Sequence, residues 1–323
     1  MTDILFVKLG ALGDVINTLP LAVNLKKQMG AKIHWLVAPL SRPLVSVHPA
    51  VDRVILFDKK KGLSSLQEAR KELKKKRFDL VLDLQRILKS GIFAMTAKGE
   101  RRIGFDRKRC KEMTWLLPFE RIPEGSPHAH MLTQYLEFGT YLGLKDQEIR
   151  WDIPVSGKRP EGLPERYIVL NIGATKPANR WRPERFAQLA KQIERSLGLP
   201  SFLTGSPEDR KMADTIWEMA GGCAVNLAGK TSIPELTELL AASSALVSCD
   251  TGPMHLGVAL GKKVVALIGP SDSRRTGPYR GEVVQKKMAC SPCDGKTCED
   301  PKCMDAITPD DVIQALVRAL DTP

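Results

Sequence analysis

Short runs of apolar residues alternate along the chain with longer stretches in which apolar residues recur every three or four positions. Ile4–Val7, Ile33–Val37, Val54–Phe57 and Leu80–Leu84 are apolar on both faces, which predicts buried parallel strands. Val15–Gln28, Ser64–Lys76 and Leu88–Ala97 lie between or after them with helical spacing. A second series has strands at Tyr167–Asn171, Ser201–Leu203, Ala245–Ser248 and Val264–Leu267. Its helices are predicted at Pro183–Arg195, Asp209–Ala220, Pro234–Ala241 and Met254–Leu260. This alternation predicts the α/β class, with two doubly wound, Rossmann-like parallel-sheet domains. The first spans residues 1–153 and the second 165–308. The segment Pro154–Pro164, with three prolines and two glycines, is the linker. A closing amphipathic helix, Pro309–Leu320, starts after Thr308 as N-cap. The terminal segment 309–323 is expected to pack back toward the first domain. Two open α/β domains joined this way are expected to face a cleft with the carboxyl ends of their sheets.

Length and composition agree with this picture. The chain has 323 residues, 43% of them apolar and 27% charged, which suits a globular two-domain enzyme and excludes a disordered or collagenous chain. No run approaches the ~20 apolar residues a membrane-spanning helix needs. The N-terminus reads as a first strand rather than a signal peptide, so a cytoplasmic protein is expected. Charge changes the picture more. Of the net +12, residues 1–155 carry 27 basic and 17 acidic side chains, and the remainder 22 and 20. Nine of those bases, among them Arg86, Lys89, Arg101, Arg102 and Arg107, fall between Arg86 and Lys111. The first half is therefore expected to meet something anionic, the bland reading being a solvated positive face.

Three loops carry candidate chemistry. The first strand runs into Lys8, Gly10, Gly13 and Asp14, and a helix follows. The glycines allow a tight turn with close backbone approach. Asp14 reads either as a helix N-cap or as a carboxylate general base, and Lys8 as a solvated charge or a phosphate contact. After Asn171 comes a loop with Gly173, Thr175, Lys176, Asn179, Arg180, Trp181 and Arg182, ending at Pro183. Its three bases suit a diphosphate, or else a basic solvated loop, while Trp181 and Phe186 read as packing residues. The third segment, Cys249-Asp250-Thr251-Gly252-Pro253-Met254-His255, places a helix start directly after a strand. Backbone N–H groups at Thr251 and Gly252 would form an anion site there. Asp250 would orient the loop or meet a sugar hydroxyl, and His255 reads as a core histidine.

Together, the Gly-x-x-Gly-Asp turn with Asn17, Thr18, Leu19 and Pro20, the Arg-Trp-Arg-Pro-Glu-Arg-Phe loop and the Asp-Thr-Gly-Pro-Met-His turn resemble the ADP-heptose:lipopolysaccharide heptosyltransferase family. The resemblance covers essentially the whole chain. It implies a GT-B fold and inverting, metal-independent transfer of heptose from ADP-heptose to a hydroxyl of the lipopolysaccharide inner core (Kdo-lipid A). By resemblance Asp14 is the general base. Lys8, Gly13, Thr175, Lys176, Arg180, Glu208, Asp250, Thr251 and Gly252 bind the nucleotide sugar. Where relatives carry a phosphate-binding lysine this chain has Asn179, which leaves Lys176 or Arg180 for that role. The basic Arg86–Lys111 region would then dock the phosphorylated acceptor, with peripheral contact at the cytoplasmic face of the inner membrane.

Cys290, Cys293, Cys298 and Cys303 are compact enough in sequence to enclose a structural zinc or iron, with free thiols and disulfides as the other readings. A bound metal would stabilise the loop after Arg280, away from the chemistry. None is required for catalysis: cationic side chains and a helix start serve the leaving group, and no Asp-x-Asp pair ends a strand. Two other classes compete on composition and fold pattern. A nucleic-acid-binding protein would also be basic, but no helix-turn-helix or RNP-like segment is evident and aromatics are only 6%. A nicotinamide enzyme would carry the Gly-x-Gly-x-x-Gly fingerprint, which is absent. A same-fold transferase using another nucleotide sugar or a protein acceptor would keep every motif quoted.

Overall fold

The computed structural model describes residues 1–321, in two compact units, Met1–Pro154 and Val155–Pro323. The last two residues of the expected terminal segment, Thr322 and Pro323, lie outside the described residues.

The first unit runs β1 (Asp3–Val7), α1 (Leu12–Met29), β2 (Lys32–Val37), α2 (Arg42–Ser46), β3 (Arg53–Leu56), α3 (Gly62–Lys74), β4 (Arg77–Asp83), α4 (Leu88–Thr96), β5 (Lys98–Gly104), β6 (Glu120–Arg121) and α5 (Met131–Tyr141). Its six strands are parallel, in the order β3-β2-β1-β4-β5-β6. β1 lies at the centre because it is apolar from its second residue on: Ile4, Leu5, Phe6 and Val7 are all buried. The strand order reverses between β1 and β4, so the loops after these two strands flank the switch point where such sheets bind ligands.

The second unit repeats the plan with β7 (Ile168–Asn171), α6 (Pro183–Leu197), β8 (Ser201–Thr204), α7 (Arg210–Ala220), β9 (Ala224–Asn226), α8 (Ile233–Ala242), β10 (Ala245–Cys249), α9 (Gly252–Ala259), β11 (Lys263–Ile268), α10 (Ser273–Thr276), β12 (Glu282–Gln285), α11 (Lys302–Asp305) and α12 (Pro309–Asp321). The strand order β12-β11-β10-β7-β8-β9 puts the switch point between β7 and β10. Thr308 does cap α12: its hydroxyl accepts the Asp311 N–H at 3.2 Å. The apolar face of α12, Val312, Ala315, Leu316 and Ala319, joins the second unit's own core beside Val265, Leu267 and Phe186. Within the second unit this face is buried against α6, β11 and β12.

Candidate active site

Each switch point gathers a polar cluster. In the first unit, the β1 ladder continues one residue beyond the strand, with the Lys8 N–H donating to Leu36 O at 3.3 Å. Trp35 Nε1 donates to Lys8 O at 3.0 Å. The Lys8 side chain is thus held inward and is only 2% exposed. Its ammonium lies 3.4 Å from Asp14 Oδ2 and 5.0 Å from the centre of the Tyr135 ring. Burial pushes the Lys8 pKa down, the Asp14 carboxylate pulls it back up and Arg86 pushes it further down.

Asp14 does not cap α1. Ala11 holds the N-cap position without a side-chain cap bond, and Asp14 sits inside the first turn, where a carboxylate is favoured by the helix dipole. Tyr135, on α5, donates its hydroxyl to Asp14 Oδ1 at 3.0 Å. The Asp14 side chain keeps 35% of its surface exposed. Gly13, beside it, is buried in the same turn.

The end of β4 completes this cluster. Burial raises the pKa of Asp83, with the Ser90 hydroxyl and the Gln85 and Arg86 N–H groups opposing. Gln85 Oε1 accepts the N–H groups of Leu9 and Gly10, at 3.1 and 3.2 Å, and so fixes the turn that leads to Asp14. Arg86, in left-handed backbone, lays its guanidinium over Phe105 and donates to Gln134.

The other expected acceptor residues divide by use. Arg101 pairs with Glu120 through Nε and Nη2. Arg102 donates to the Ala94 and Ala97 carbonyls and closes the C-terminus of α4. Lys89 lies exposed over the Phe57 ring, and Arg107 is exposed in a turn capped by Asp106. Arg109, in the same turn, is buried between Asp106 and Glu137.

In the second unit, Asn171 ends β7 and ties the strand tips together. Its Nδ2 donates to Ser248 Oγ at 3.2 Å, and its Oδ1 accepts from Thr204. Gly173 follows because any Cβ there would meet Asp209 Oδ2 at 2.4 Å. Asp209 in turn accepts from Ser206 N–H and Oγ–H and pairs with Arg180 at 3.0 Å. Arg180 therefore serves the turn that carries the exposed Glu208. Asn179 is buried with its Nδ2 3.3 Å from Asp250 Oδ2.

Burial raises the Asp250 pKa, while Ser271, Lys176 and Arg275 pull it down and Asp294 adds to the rise. Lys176 is thus the loop cation that faces Asp250, next to the exposed Thr175. Thr251 is the N-cap of α9 in extended backbone without a side-chain cap bond, and Gly252 opens the helix. Trp181 is buried edge-on to Phe186, with its Nε1 donating to Ile307 O, so both are packing residues. His255 is buried inside α9.

The matched region decides the family. Residues 66–304 match the model of glycosyltransferase family 9 (heptosyltransferase). The chain belongs to this family. It is 27% identical over 282 residues to the lipopolysaccharide core heptosyltransferase OpsX of Haemophilus influenzae, covering 84% of this chain and 80% of that protein. A glycosyl transferase family 9 structure from Veillonella parvula superposes with a TM-score of 0.83 at 24% identity, covering 99% and 97% of the two chains. Escherichia coli heptosyltransferase WaaC with ADP-2-deoxy-2-fluoro heptose gives 0.80 at 23% identity, covering 98% and 99%. The fold is GT-B, and the protein is a family 9 glycosyltransferase.

Of the three readings of the cysteine loop, the structure of this family 9 chain carries the free thiols. All seven cysteines are free thiols; Cys290, Cys293 and Cys298 are exposed and Cys303 is buried. Among the described residues, no three His, Cys, Asp or Glu side chains converge as ligands, so zinc or iron finds no ready ligand sphere in this arrangement. Nor does the loop lie apart from the cluster around Asp250. Lys176 Nζ is 3.4 Å from Asp294 O, and the Ala178 N–H donates to Lys296 O at 3.2 Å.

Sequence reading missed Tyr135, Asp83, Gln85, Asn171, Asp209 and Arg275. All but Asn171, which directly precedes the Gly173 loop, lie far in sequence from a motif they support. The one available signal was polarity at the end of a predicted buried strand, as in Asp83 and Asn171. Among the described residues no helix is long and apolar enough to cross a membrane.

Proposed function

We propose that this glycosyltransferase moves heptose, with inversion and without a catalytic metal, from ADP-heptose to a hydroxyl of the lipopolysaccharide inner core (Kdo-lipid A). The observation that carries the reading is the Asp14 carboxylate, held by Tyr135 and Lys8 at a sheet switch point yet still partly open. Asp14 takes the proton of the acceptor hydroxyl as its oxygen attacks the anomeric carbon, on the face opposite the diphosphate. The bond from that carbon to the diphosphate oxygen breaks, and ADP leaves with the electron pair.

The second unit binds the donor. The α9 start at Thr251 and Gly252, with Lys176, stabilises charge on the departing diphosphate. Lys176 takes the phosphate role because Arg180 is engaged by Asp209 and Asn179 by Asp250. Asp250 and Glu208 meet sugar hydroxyls. Arg86, Lys89 and Arg107 offer charge to the phosphorylated acceptor, and the enzyme works at the cytoplasmic face of the inner membrane. The core heptosyltransferase OpsX supports the sugar and the acceptor, and the ADP-heptose analogue in the WaaC structure supports the donor. A structural zinc or iron would have to gather the three exposed thiols around Cys303, and elemental analysis of the purified protein tests for it.

Transfer from ADP-heptose to core-truncated lipopolysaccharide, with EDTA present, tests the proposal. Wild type is expected to turn over, and Asp14→Asn to lose at least ~10²-fold in kcat. Full activity in the variant removes Asp14 as base. Binding of ADP-heptose without transfer to any acceptor redirects the reading to another acceptor, including a protein.

A further inference from the structure

α4 buries Ser90, Gly91, Phe93 and Ala94 but leaves Leu88, Ile92 and Met95 exposed. Those three positions are four and three residues apart, so they form one stripe along the helix. The loop after Lys111 extends the stripe. The Leu88 N–H donates to Glu112 Oε2 at 3.0 Å, and a Cβ at Gly91 would meet Leu117 Cδ1 at 2.2 Å, so this loop lies directly on α4. It adds Met113 and Leu116, with the half-buried Trp115 between them.

The five large apolar side chains range from 41% exposed at Met95 to 66% at Leu116. Thirteen large hydrophobic side chains are exposed among the described residues, and five of them lie on α4 and the loop packed against it. Such clustering marks an interaction surface, whereas scattered exposed hydrophobics carry no message. The rim of the face is basic: Lys89 on α4, Lys98 just beyond its end and Lys111 at the start of the loop are all exposed.

We infer that this face docks the enzyme on an anionic lipid bilayer, with the apolar stripe in the headgroup–acyl boundary and the lysines among the headgroups. The inference rests on the proposed lipid-anchored acceptor and names the surface through which the enzyme reaches it. An apolar stripe with a lysine rim and an interfacial tryptophan is the pattern of an element lying in a membrane surface. Charge favours this occupant over a second copy of the chain, because two such faces would bring their lysine rims together. Negative headgroups attract the same lysines.

The test is co-sedimentation of the full chain with vesicles of phosphatidylethanolamine containing about one quarter phosphatidylglycerol, against phosphatidylcholine vesicles. Wild type is expected to bind the anionic vesicles about tenfold or more tightly. Ile92→Glu with Leu116→Glu is expected to lose at least about tenfold of that binding, with an unchanged thermal midpoint. Should the double variant misfold, Ile92→Ser with Leu116→Ser is expected to lose about threefold or more.

Failure of wild type to bind anionic vesicles, or equal binding by the variants, overturns the docking surface. A wild-type dimer that the variants dissociate overturns it in favour of self-association. Transfer to a deacylated, water-soluble inner-core acceptor reads the catalytic proposal separately. An enzyme that transfers but ignores vesicles loses only the docking surface. One that binds vesicles through this face but transfers nothing loses only the catalytic reading.

Discussion

Asp14 is oriented by two residues that reach it from different parts of the first unit. Lys8 comes from the end of the neighbouring strand, and Tyr135 from a helix 121 residues further along the chain. The tyrosine touches the carboxylate and no proposed step moves its proton, so it is a positioning residue. Removing a hydrogen bond to a charged acceptor costs about 1.5–3 kcal/mol, so Tyr135→Phe is expected to lower kcat/KM at least about tenfold. It also takes a donor from the ionised carboxylate, which disfavours the charged form. The acid limb of kcat/KM should therefore move to higher pH in the variant. A fall in activity with the acid limb unmoved would assign Tyr135 to packing alone. The contrast between Lys8 and Tyr135 also marks what the sequence could reveal of the site. Lys8, Gly13 and Asp14 are legible because one strand–turn–helix carries them in a single motif. Tyr135 is not, because an aromatic residue on an amphipathic helix reads as core, and only the contact of α5 with α1 gives its hydroxyl a partner. Asn179 shows the converse: sequence exposed the missing lysine, but only the contacts of Arg180 with Asp209 single out Lys176.

Elements that are apolar on both faces were legible, and those whose burial depends on partners were not. β5 reads as a charged stretch, Lys98 to Gly104, yet it is the fifth strand of a parallel sheet because β4 and β6 pair with it and Glu120 neutralises Arg101. Likewise β9 and β12, of three and four residues, are too short to stand out from loops. The closing helix was legible as an element from its amphipathic spacing and its Thr308 cap. Its start supplies a prediction. Burial alone would raise the Asp311 pKa, but Lys286 and the N–H and hydroxyl of Thr308 outweigh it and hold the pKa at about 2. The ordinary aspartate value is about 3.9. Since the folded pKa is depressed, the stabilisation is complete above about pH 4 and is lost as the pH falls toward 2. Asp311→Ala is expected to cost about 1 kcal/mol near neutrality, or roughly 2–4 °C in Tm. That gap should narrow as the pH falls toward 2 and close below it, where the wild-type carboxylate is protonated. A gap of the same size at both pH values would show that the ionised carboxylate is not its source.

At the scale of the whole molecule, the two units repeat one strand order and differ in charge. Net charge is +10 over residues 1–155 and +2 over the remainder, although the two sheets have the same number of strands and the same switch-point geometry. The fold does not require this asymmetry, so it reports on ligands. Part of the excess is neutralised locally, as in Arg101 with Glu120 and Lys108 with Glu124. Arg102 and Arg121 are used to satisfy backbone carbonyls. The proposed function leaves Arg86, Lys89 and Arg107 to act on a phosphorylated acceptor over a distance that salt controls. The Debye length falls from about 10 Å at 0.1 M salt to about 3 Å at 1 M. The donor, by contrast, is to be held at short range by a helix start and by Lys176, in a half of the chain that is close to neutral. Raising NaCl from about 0.05 to about 0.5 M is therefore expected to raise the acceptor KM at least about fivefold and the donor KM less than about twofold. A deacylated, soluble acceptor should show the same dependence, because this term needs no bilayer. Equal rises in both KM values would mean that the charge asymmetry does not select the acceptor. An acceptor KM indifferent to salt would leave Arg86, Lys89 and Arg107 as solvated surface.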